Sequence, residues 1–149
     1  MPTFPSVQWF EAVRELVNND AAFRQLGTID ARVGVKVGDQ LFEITFEAFE
    51  CTAVQEITES MLPELDFWLE QSPDEWKELI ENTKEHGGAD LQHTLNTIDL
   101  TRPEGFALSH DGYRRDTFYR FNQSLQHFFD TSSKIDTDFA VSASAGQPN

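Results

Sequence analysis

The side chains that could act on a metal or a substrate are scattered along this chain, without the spacing of a catalytic or metal-binding motif. The four histidines, His86, His93, His110 and His127, lie 7, 17 and 17 positions apart. A zinc site needs three or four convergent ligands, and only His86 and His93 are close enough to meet on neighbouring turns. We therefore expect the histidines to be structural or solvent-exposed, and we expect no metal.

Carboxylates are too numerous for any one of them to stand out as a general base. The chain has 26 Asp and Glu residues, and Glu43, Glu47, Asp66 and Glu70 are expected on the polar faces of strands. An acid buried in an apolar cone can serve as a general base. A small isomerase-type enzyme is therefore an alternative hypothesis, with no catalytic residue assigned.

Cys51 is the only cysteine, and no His or Lys stands near it in the sequence to activate its thiol. A cysteine in this setting is expected to be a small packing residue. The glycine-rich loops that hold phosphates are missing too, and the nearest stretch, 34–38, belongs to a predicted hairpin. The sequence thus predicts no nucleophile and no cofactor.

The charge of the chain excludes whole classes of partner. Twenty-six acidic residues stand against 11 basic ones, for a net charge of -15 and a pI near 4.4. Such a surface repels phosphate backbones, so no nucleic-acid partner is expected. No stretch approaches the ~20 apolar residues that span a bilayer, so no integral membrane association is expected. A single cysteine and the lack of a secretion signal favour a cytoplasmic protein.

The length of 149 residues is typical of one domain. We predict a single α+β domain over residues 1–135. The segment from Ser142 onward is small and polar and cannot bury enough apolar surface to order itself. A disordered tail is therefore predicted over 136–149.

The first half of the chain alternates apolar and polar residues with the period of a β-strand. This pattern predicts strands over 29–37 and 42–46, joined by a turn at Gly38-Asp39 into a hairpin. The alternation changes register after Phe46. We therefore expect a second turn over 48–50 and a third strand over 51–57.

The period changes again between Leu65 and Leu79. Residues 65–70 alternate as a fourth strand, and Ser72-Pro73-Asp74-Glu75 then has the composition of a capped helix start. Trp76, Leu79 and Ile80 share one face of that helix. A strand followed directly by such a helix predicts helices packed over a sheet.

Further helices are predicted over 6–26, with a break at 18–20, and over 89–100. A short fifth strand is predicted over 106–108. Asp111 is expected to cap a last helix that carries Phe118, the first of several apolar residues in a 3-4-3 spacing. The order is helix, four strands, two helices, strand and helix, which is typical of an α+β fold.

Aromatic residues on the strands and helices would converge if the helices cover one face of the sheet. A stripe of this kind fits a solid core or the lining of a ligand cavity, and composition does not decide between them. The residues are Phe42, Phe46, Phe67, Trp76, Phe118, Phe121, Phe128 and Phe129.

Over residues 13–129 the chain resembles the sterol carrier protein family of small, non-specific lipid-transfer domains. The resemblance rests on the first hairpin with its Gly38-Asp39 turn, the strand Leu65-Asp66-Phe67-Trp68-Leu69 and the helix start Ser72-Pro73-Asp74-Glu75-Trp76. It also rests on the apolar strand that leads through Ser109-His110-Asp111 into an apolar helix.

This resemblance implies a five-stranded, mostly antiparallel sheet covered on one face by helices, which enclose an apolar tunnel for a fatty acyl chain, a sterol or a similar molecule. Burial of apolar ligand surface would drive binding. The last helix would form a lid or wall. The predicted ligand-binding residues are Val35, Phe42, Ile44, Phe46, Phe67, Trp76, Leu79, Leu95, Phe118, Phe121 and Leu125.

A second alternative is a partner or regulatory subunit that uses its last helix as an interface. Arg114, Arg115 and Arg120 form a basic patch there in an otherwise acidic chain. Exposed Phe128 and Phe129 would complete such a surface. A homodimer or an enzyme partner is the corresponding expectation.

Overall fold

The computed structural model describes residues 1–103 and 105–139 of the chain. The described residues form seven α-helices, a five-stranded mixed sheet and a separate pair of two-residue strands. The predicted α+β class is confirmed. Among the helices of these residues, none combines the length and the apolar character needed to cross a membrane.

The strands predicted from the alternation of apolar and polar residues are present, and two short strands near the ends of the described residues were not predicted. The strands are β1 (Thr3–Phe4), β2 (Ala31–Val37), β3 (Gln40–Glu47), β4 (Glu50–Ile57), β5 (Phe67–Gln71), β6 (Ala107–Leu108) and β7 (Asp138–Phe139). The main sheet has the order β4-β3-β2-β5-β6. The turn before β4 contains Ala48 at φ 55°, as the change of register predicts.

The prediction of a mostly antiparallel sheet is corrected to a mixed sheet, because β2 and β5 pair in parallel at its centre. A connector containing the 3₁₀ turn Glu59–Glu64 crosses the outer face of the sheet between β4 and β5. Glu59 forms an ion pair with outward-facing Lys36, and Leu65 packs directly over Gly34. Because of this crossing, β5 lies beside β2 and the two strands run in the same direction.

The helices are α1 (Val7–Asn18), α2 (Ala21–Gln25), α3 (Pro73–His86), α4 (Leu95–Thr101), α5 (Gly112–Arg115), α6 (Thr117–Arg120) and α7 (Asn122–Asp130). The predicted break at 18–20 is confirmed, since the Asp20 side chain caps α2. Ser72 and Glu75 form the predicted capping box of α3, and Gly87 ends that helix in the left-handed conformation.

Two predicted helices differ from the structure. The helix predicted over 89–100 begins only at Leu95, because the Asp90 side chain accepts the N–H groups of Gln92 and His93 in a turn. The single last helix is divided into α5, α6 and α7. The first break is at Asp116, between α5 and α6, and the second is at Phe121, where φ is -108° and ψ is 18°.

The core lies between the inner face of the sheet and the helices. The inner face includes Val33, Val35 and Phe42. Phe10 of α1 contacts the ring of Phe42, and Trp76 of α3 is buried in the same cluster. Of the tail predicted over 136–149, residues 136–139 are described, and β7 pairs in parallel with β1. Residues 140–149 lie outside the described part.

Candidate functional site

The predicted ligand-binding residues of the strands all lie on the inner face of the sheet. Val35 is paired with Phe42 across the hairpin. Ile44 and Phe67 flank Val33 from β3 and β5. The regular alternation of the two hairpin strands places these side chains on one face.

The predicted residues of the helices close the same interior from the other side. Trp76 and Leu79 come from α3, Leu95 from α4 and Leu125 from α7, and all are buried in the core cluster. Phe121, between α6 and α7, is partly buried against it. The structure therefore brings all eleven predicted residues to one interior, ten of them buried.

The rings in this interior are in direct contact with one another. Most of the pairs meet edge to face or tilted, as aromatic side chains prefer. The ring centroids are 5.2 Å apart for Phe10 and Phe42, 5.6 Å for Phe46 and Phe128, 5.6 Å for Phe67 and Phe118, and 5.7 Å for Trp76 and Phe129. A guest molecule in this layer would have to separate such pairs.

Helices α6 and α7 form one side of this interior, and α5 leads into them at the surface. We call the segment of these three helices the wall (residues 112–130). Arginine side chains attach it to the rest of the domain. Arg114 donates to the carbonyl oxygens of Pro63 at 3.0 Å and Glu64 at 3.2 Å. Arg115 donates to the carbonyl oxygen of Ala107 at 2.7 Å. The wall is thus held by side-chain contacts at its α5 end.

These contacts change the interpretation of the predicted interface. Phe128 and Phe129 are fully buried, so they do not form an exposed patch. Arg114 and Arg115 serve intramolecular contacts, and the Arg120 guanidinium lies 5.9 Å from the ring centre of Phe121. The expected surface of two phenylalanines and three arginines therefore does not exist on the described protein.

The carboxylate of Glu43 is buried on the outer face, where a solvated side chain was expected. It is 2 % exposed and accepts hydrogen bonds from Arg32 Nε at 2.7 Å, from Gln55 and from Thr45. Burial alone would raise its pKa, but the hydrogen bonds from Arg32, Gln55 and Thr45 outweigh burial and lower the pKa. This group is held as a carboxylate and does not accept protons near neutral pH.

Asp99 of α4 is a second buried carboxylate. Burial tends to raise its pKa, while the N–H groups of Ala107 and Phe106, the charge of Arg115 and the Tyr119 hydroxyl lower it more. The net pKa is lowered. Neither Asp99 nor Glu43 has the raised pKa of a general base in an apolar cone.

The remaining reactive side chains have structural surroundings. Burial raises the pKa of the Cys51 thiol to about 12, so it is not a thiolate nucleophile. His93 lies between Asp90 and Glu78, at 2.7 Å from each, and His127 contacts Asp20. Among the described residues, no three or more His, Cys, Asp or Glu side chains are grouped to hold a metal ion.

Two of the surface clefts on the described residues lie beside the sheet and the core. The first, which we call the polar cleft, has a volume of about 360 Å³ and is lined by Gly38, Glu70, Gln71, Ser72, Glu75, Arg102, Gly105 and Leu108. The second, the terminal cleft, has a volume of about 580 Å³ and is lined by Met1, Ile80, Glu81, Lys84, Glu85, Asp136, Thr137 and Phe139.

Sequence reasoning missed the residues of the polar cleft and the burial of Glu43. The hairpin register places Glu43 diagonally to Arg32, so that pairing was accessible from the sequence. Gln71 and Arg102 are 31 positions apart, and no local pattern connects them. Their contact depends on the loop after α4 reaching the end of β5.

Comparison of the chain with protein-family models, curated proteins and solved structures gives no match.

Proposed function

We propose that this protein binds a hydrophobic small molecule, such as a fatty acyl chain or a sterol, between the inner face of its sheet and the wall. The observation that carries this proposal is the convergence of the eleven predicted residues on one apolar interior. The helices approach that interior from a single face of the sheet. Apolar surfaces of this kind bind ligands by removing them from water.

Binding fits this interior better than catalysis. An acid-base enzyme needs a group whose pKa lies near the working pH. The buried carboxylates Glu43 and Asp99 have lowered pKa values, and the Cys51 thiol has a raised one. A carrier requires no such group.

Access for a ligand would come through movement of the wall. The rings are in contact, so a ligand would fit only if α6 and α7 move away from the sheet. Helices α5 and α6 have four residues each, which is too short for stability outside tertiary packing. The terminal cleft offers a second approach, since Ile80 lines it and also belongs to the core cluster.

The energetics set the ligand size that such a site requires. Burying a methylene group contributes about 0.8 kcal/mol. Separation of ring pairs such as Phe67 and Phe118 costs about 0.5–1.5 kcal/mol for each pair beyond the area that is exposed. A long alkyl chain or a sterol can offset several such pairs, whereas a short chain cannot.

Two measurements test the proposal. Native mass spectrometry of the protein purified from cells should find a co-purified apolar molecule. After its removal, titration with a fluorescent fatty acid should give saturable uptake of one molecule per chain. A folded protein that carries no such molecule and takes up no fatty acid would contradict the proposal.

A pair of matched variants locates the ligand. Phe118→Leu removes a ring that faces Phe67 under the wall, and we expect it to bind the fatty acid at least about threefold more tightly. Phe49→Leu removes a ring of the same size at the exposed turn between β3 and β4, outside this interior, and should leave the affinity unchanged. Circular dichroism of both variants checks that they are folded.

A further inference from the structure

The wall is attached to the domain unevenly along its length. Among residues 109–120, which we call the flap, Phe118 is the only buried residue. Helix α7, which follows the flap, buries Leu125, Phe128 and Phe129. Short helices depend on tertiary packing of an apolar face for their stability. The flap is therefore the more weakly packed part of the wall.

Side-chain hydrogen bonds hold the flap where a packed apolar face is missing. Arg114 donates to two carbonyl oxygens of the connector, and Arg115 donates to the carbonyl oxygen of Ala107. Among the described residues, no hydrogen bond between two backbone groups joins residues 111–120 to the sheet or to α7. The flap can therefore leave the sheet without breaking a strand pairing.

The chain has a natural hinge at the end of the flap. Phe121, where φ is -108° and ψ is 18°, interrupts the helix between α6 and α7. Beyond this point α7 has attachments of its own. The backbone N–H of Leu95 donates to Gln126 Oε1 at 2.8 Å, and His127 Nε2 lies 2.7 Å from Oδ2 of Asp20. Helix α7 can therefore stay in place when the flap moves.

Asp99 joins the flap to the rest of the domain. Its carboxylate accepts the backbone N–H groups of Phe106 and Ala107, so it stays with α4 and β6. From the flap, the same carboxylate accepts hydrogen bonds from Arg115 and Tyr119. Both of these side chains reach the surface. Water can therefore replace Asp99 as their partner when the flap opens.

We propose that the flap opens while the rest of the domain stays folded, turning at Phe121 after its contacts to Asp99 break. Opening withdraws the Phe118 ring, whose centre lies 5.6 Å from that of Phe67, and exposes this part of the apolar interior. The motion belongs to the protein without a ligand, so the inference goes beyond the proposed function and does not depend on it. If a ligand enters under the wall, flap opening is the first step and precedes any movement of α7.

Hydrogen exchange of backbone amides, followed by NMR at urea concentrations below the unfolding transition, tests this proposal. Helices α5 and α6 have four residues each and should lose their hydrogen bonds once they are detached. The amides of Arg120 and Phe121, which are hydrogen-bonded to carbonyl groups of the flap, should therefore exchange at a rate nearly independent of urea. The amides of Phe128 and Phe129 in α7 should be at least about tenfold better protected, with a strong dependence on urea.

A matched pair of variants tests the role of Asp99. Tyr119→Phe removes only the hydroxyl group that donates to Asp99, and it should speed the exchange of the Arg120 and Phe121 amides at least about fivefold. Tyr113→Phe removes a hydroxyl group from the same flap at a position that is 85 % exposed. This control should leave the exchange rates unchanged.

A variant at the opposite edge of the sheet separates local opening from global unfolding. Val54→Ala, in β4, should destabilise the whole domain and speed the exchange of the α7 amides. It should leave the flap amides unchanged, because the contacts of Val54 are kept when only the flap opens. The proposal is overturned if the flap amides show the urea dependence of the α7 amides, or if Tyr119→Phe does not speed their exchange.

Discussion

The Nη2 atom of Arg115 lies 3.0 Å from each carboxylate oxygen of Asp99. The same carboxylate accepts the backbone N–H groups of Phe106 and Ala107 at 2.8 and 2.9 Å and the hydroxyl of Tyr119 at 3.1 Å. One buried side chain of α4 thus connects the edge strand β6 with α5 and α6. The position of the wall depends on it.

Replacing this carboxylate should destabilise the whole domain. In Asp99→Ala, two buried N–H groups and the Arg115 guanidinium lose their acceptor. We expect the free energy of unfolding to fall by about 3 kcal/mol. This value is at the lower end of the range for removing one partner of a buried ion pair, because Arg115 is partly exposed. Denaturation in guanidinium chloride measures this loss. Glu50→Ala, which breaks the exposed pair with Arg24, should cost less than about 1 kcal/mol.

The buried Glu43 should contribute to acid denaturation. Its pKa in the folded protein is lowered from 4.5, so its stabilising effect is complete above pH 4.5 and is lost as the pH falls through the folded-state pKa. Glu43→Gln should lower stability at neutral pH by about 1–2 kcal/mol and flatten the decline below pH 4.5. Thermal unfolding between about pH 2 and 7 tests this. Glu47→Gln, at the exposed end of β3, should retain the profile of the unmodified chain.

Loss of the proton from the His93 ring should make the domain less stable at alkaline pH. Hydrogen bonds to Asp90 and Glu78 raise its pKa above 6.5, so its contribution is fully present below pH 6.5. This contribution is lost as the pH rises through the raised pKa. His93→Gln should therefore show a smaller loss of Tm between about pH 6 and 9 than the unmodified chain. A ¹H NMR titration of the His93 ring that gave a pKa at or below 6.5 would contradict this account, and His86→Gln serves as the control.

Gly34 should tolerate no side chain, because the connector packs against it. A Cβ atom there would lie 2.7 Å from Leu65 Cδ1 and 2.7 Å from Trp68 Cβ. The Trp68 atom is attached to the backbone of β5 and moves only with that strand. Gly34→Ala should therefore cost about 1–3 kcal/mol, measured by urea denaturation. Gly112→Ala, where a Cβ meets nothing within 4 Å, should be close to neutral.

Local features of this fold were readable from the sequence, because each is decided by neighbouring residues. The turn at Gly38-Asp39 sets the register of β2 and β3. The capping box of Ser72 and Glu75 begins α3. The eleven predicted binding residues share one interior since strand and helix periods determine which side chains face the core.

Features that depend on distant parts of the chain were not readable in this way. The parallel pairing of β5 with β2 follows from the path of the connector, which carries no strand signal. The division of the last helix and the burial of Glu43 depend on what packs against them. The spacing of apolar residues within one segment does not predict these contacts.

The sequence by itself therefore determined the elements and the inward-facing side chains, because hydrogen-bonded turns and apolar periodicity act over a few residues. Only the tertiary structure decided that Arg115 meets Asp99 across 16 positions and that Gln71 accepts a hydrogen bond from Arg102 across 31 positions. Such contacts form when segments far apart in the chain are packed together, and their energies depend on burial that no single segment provides.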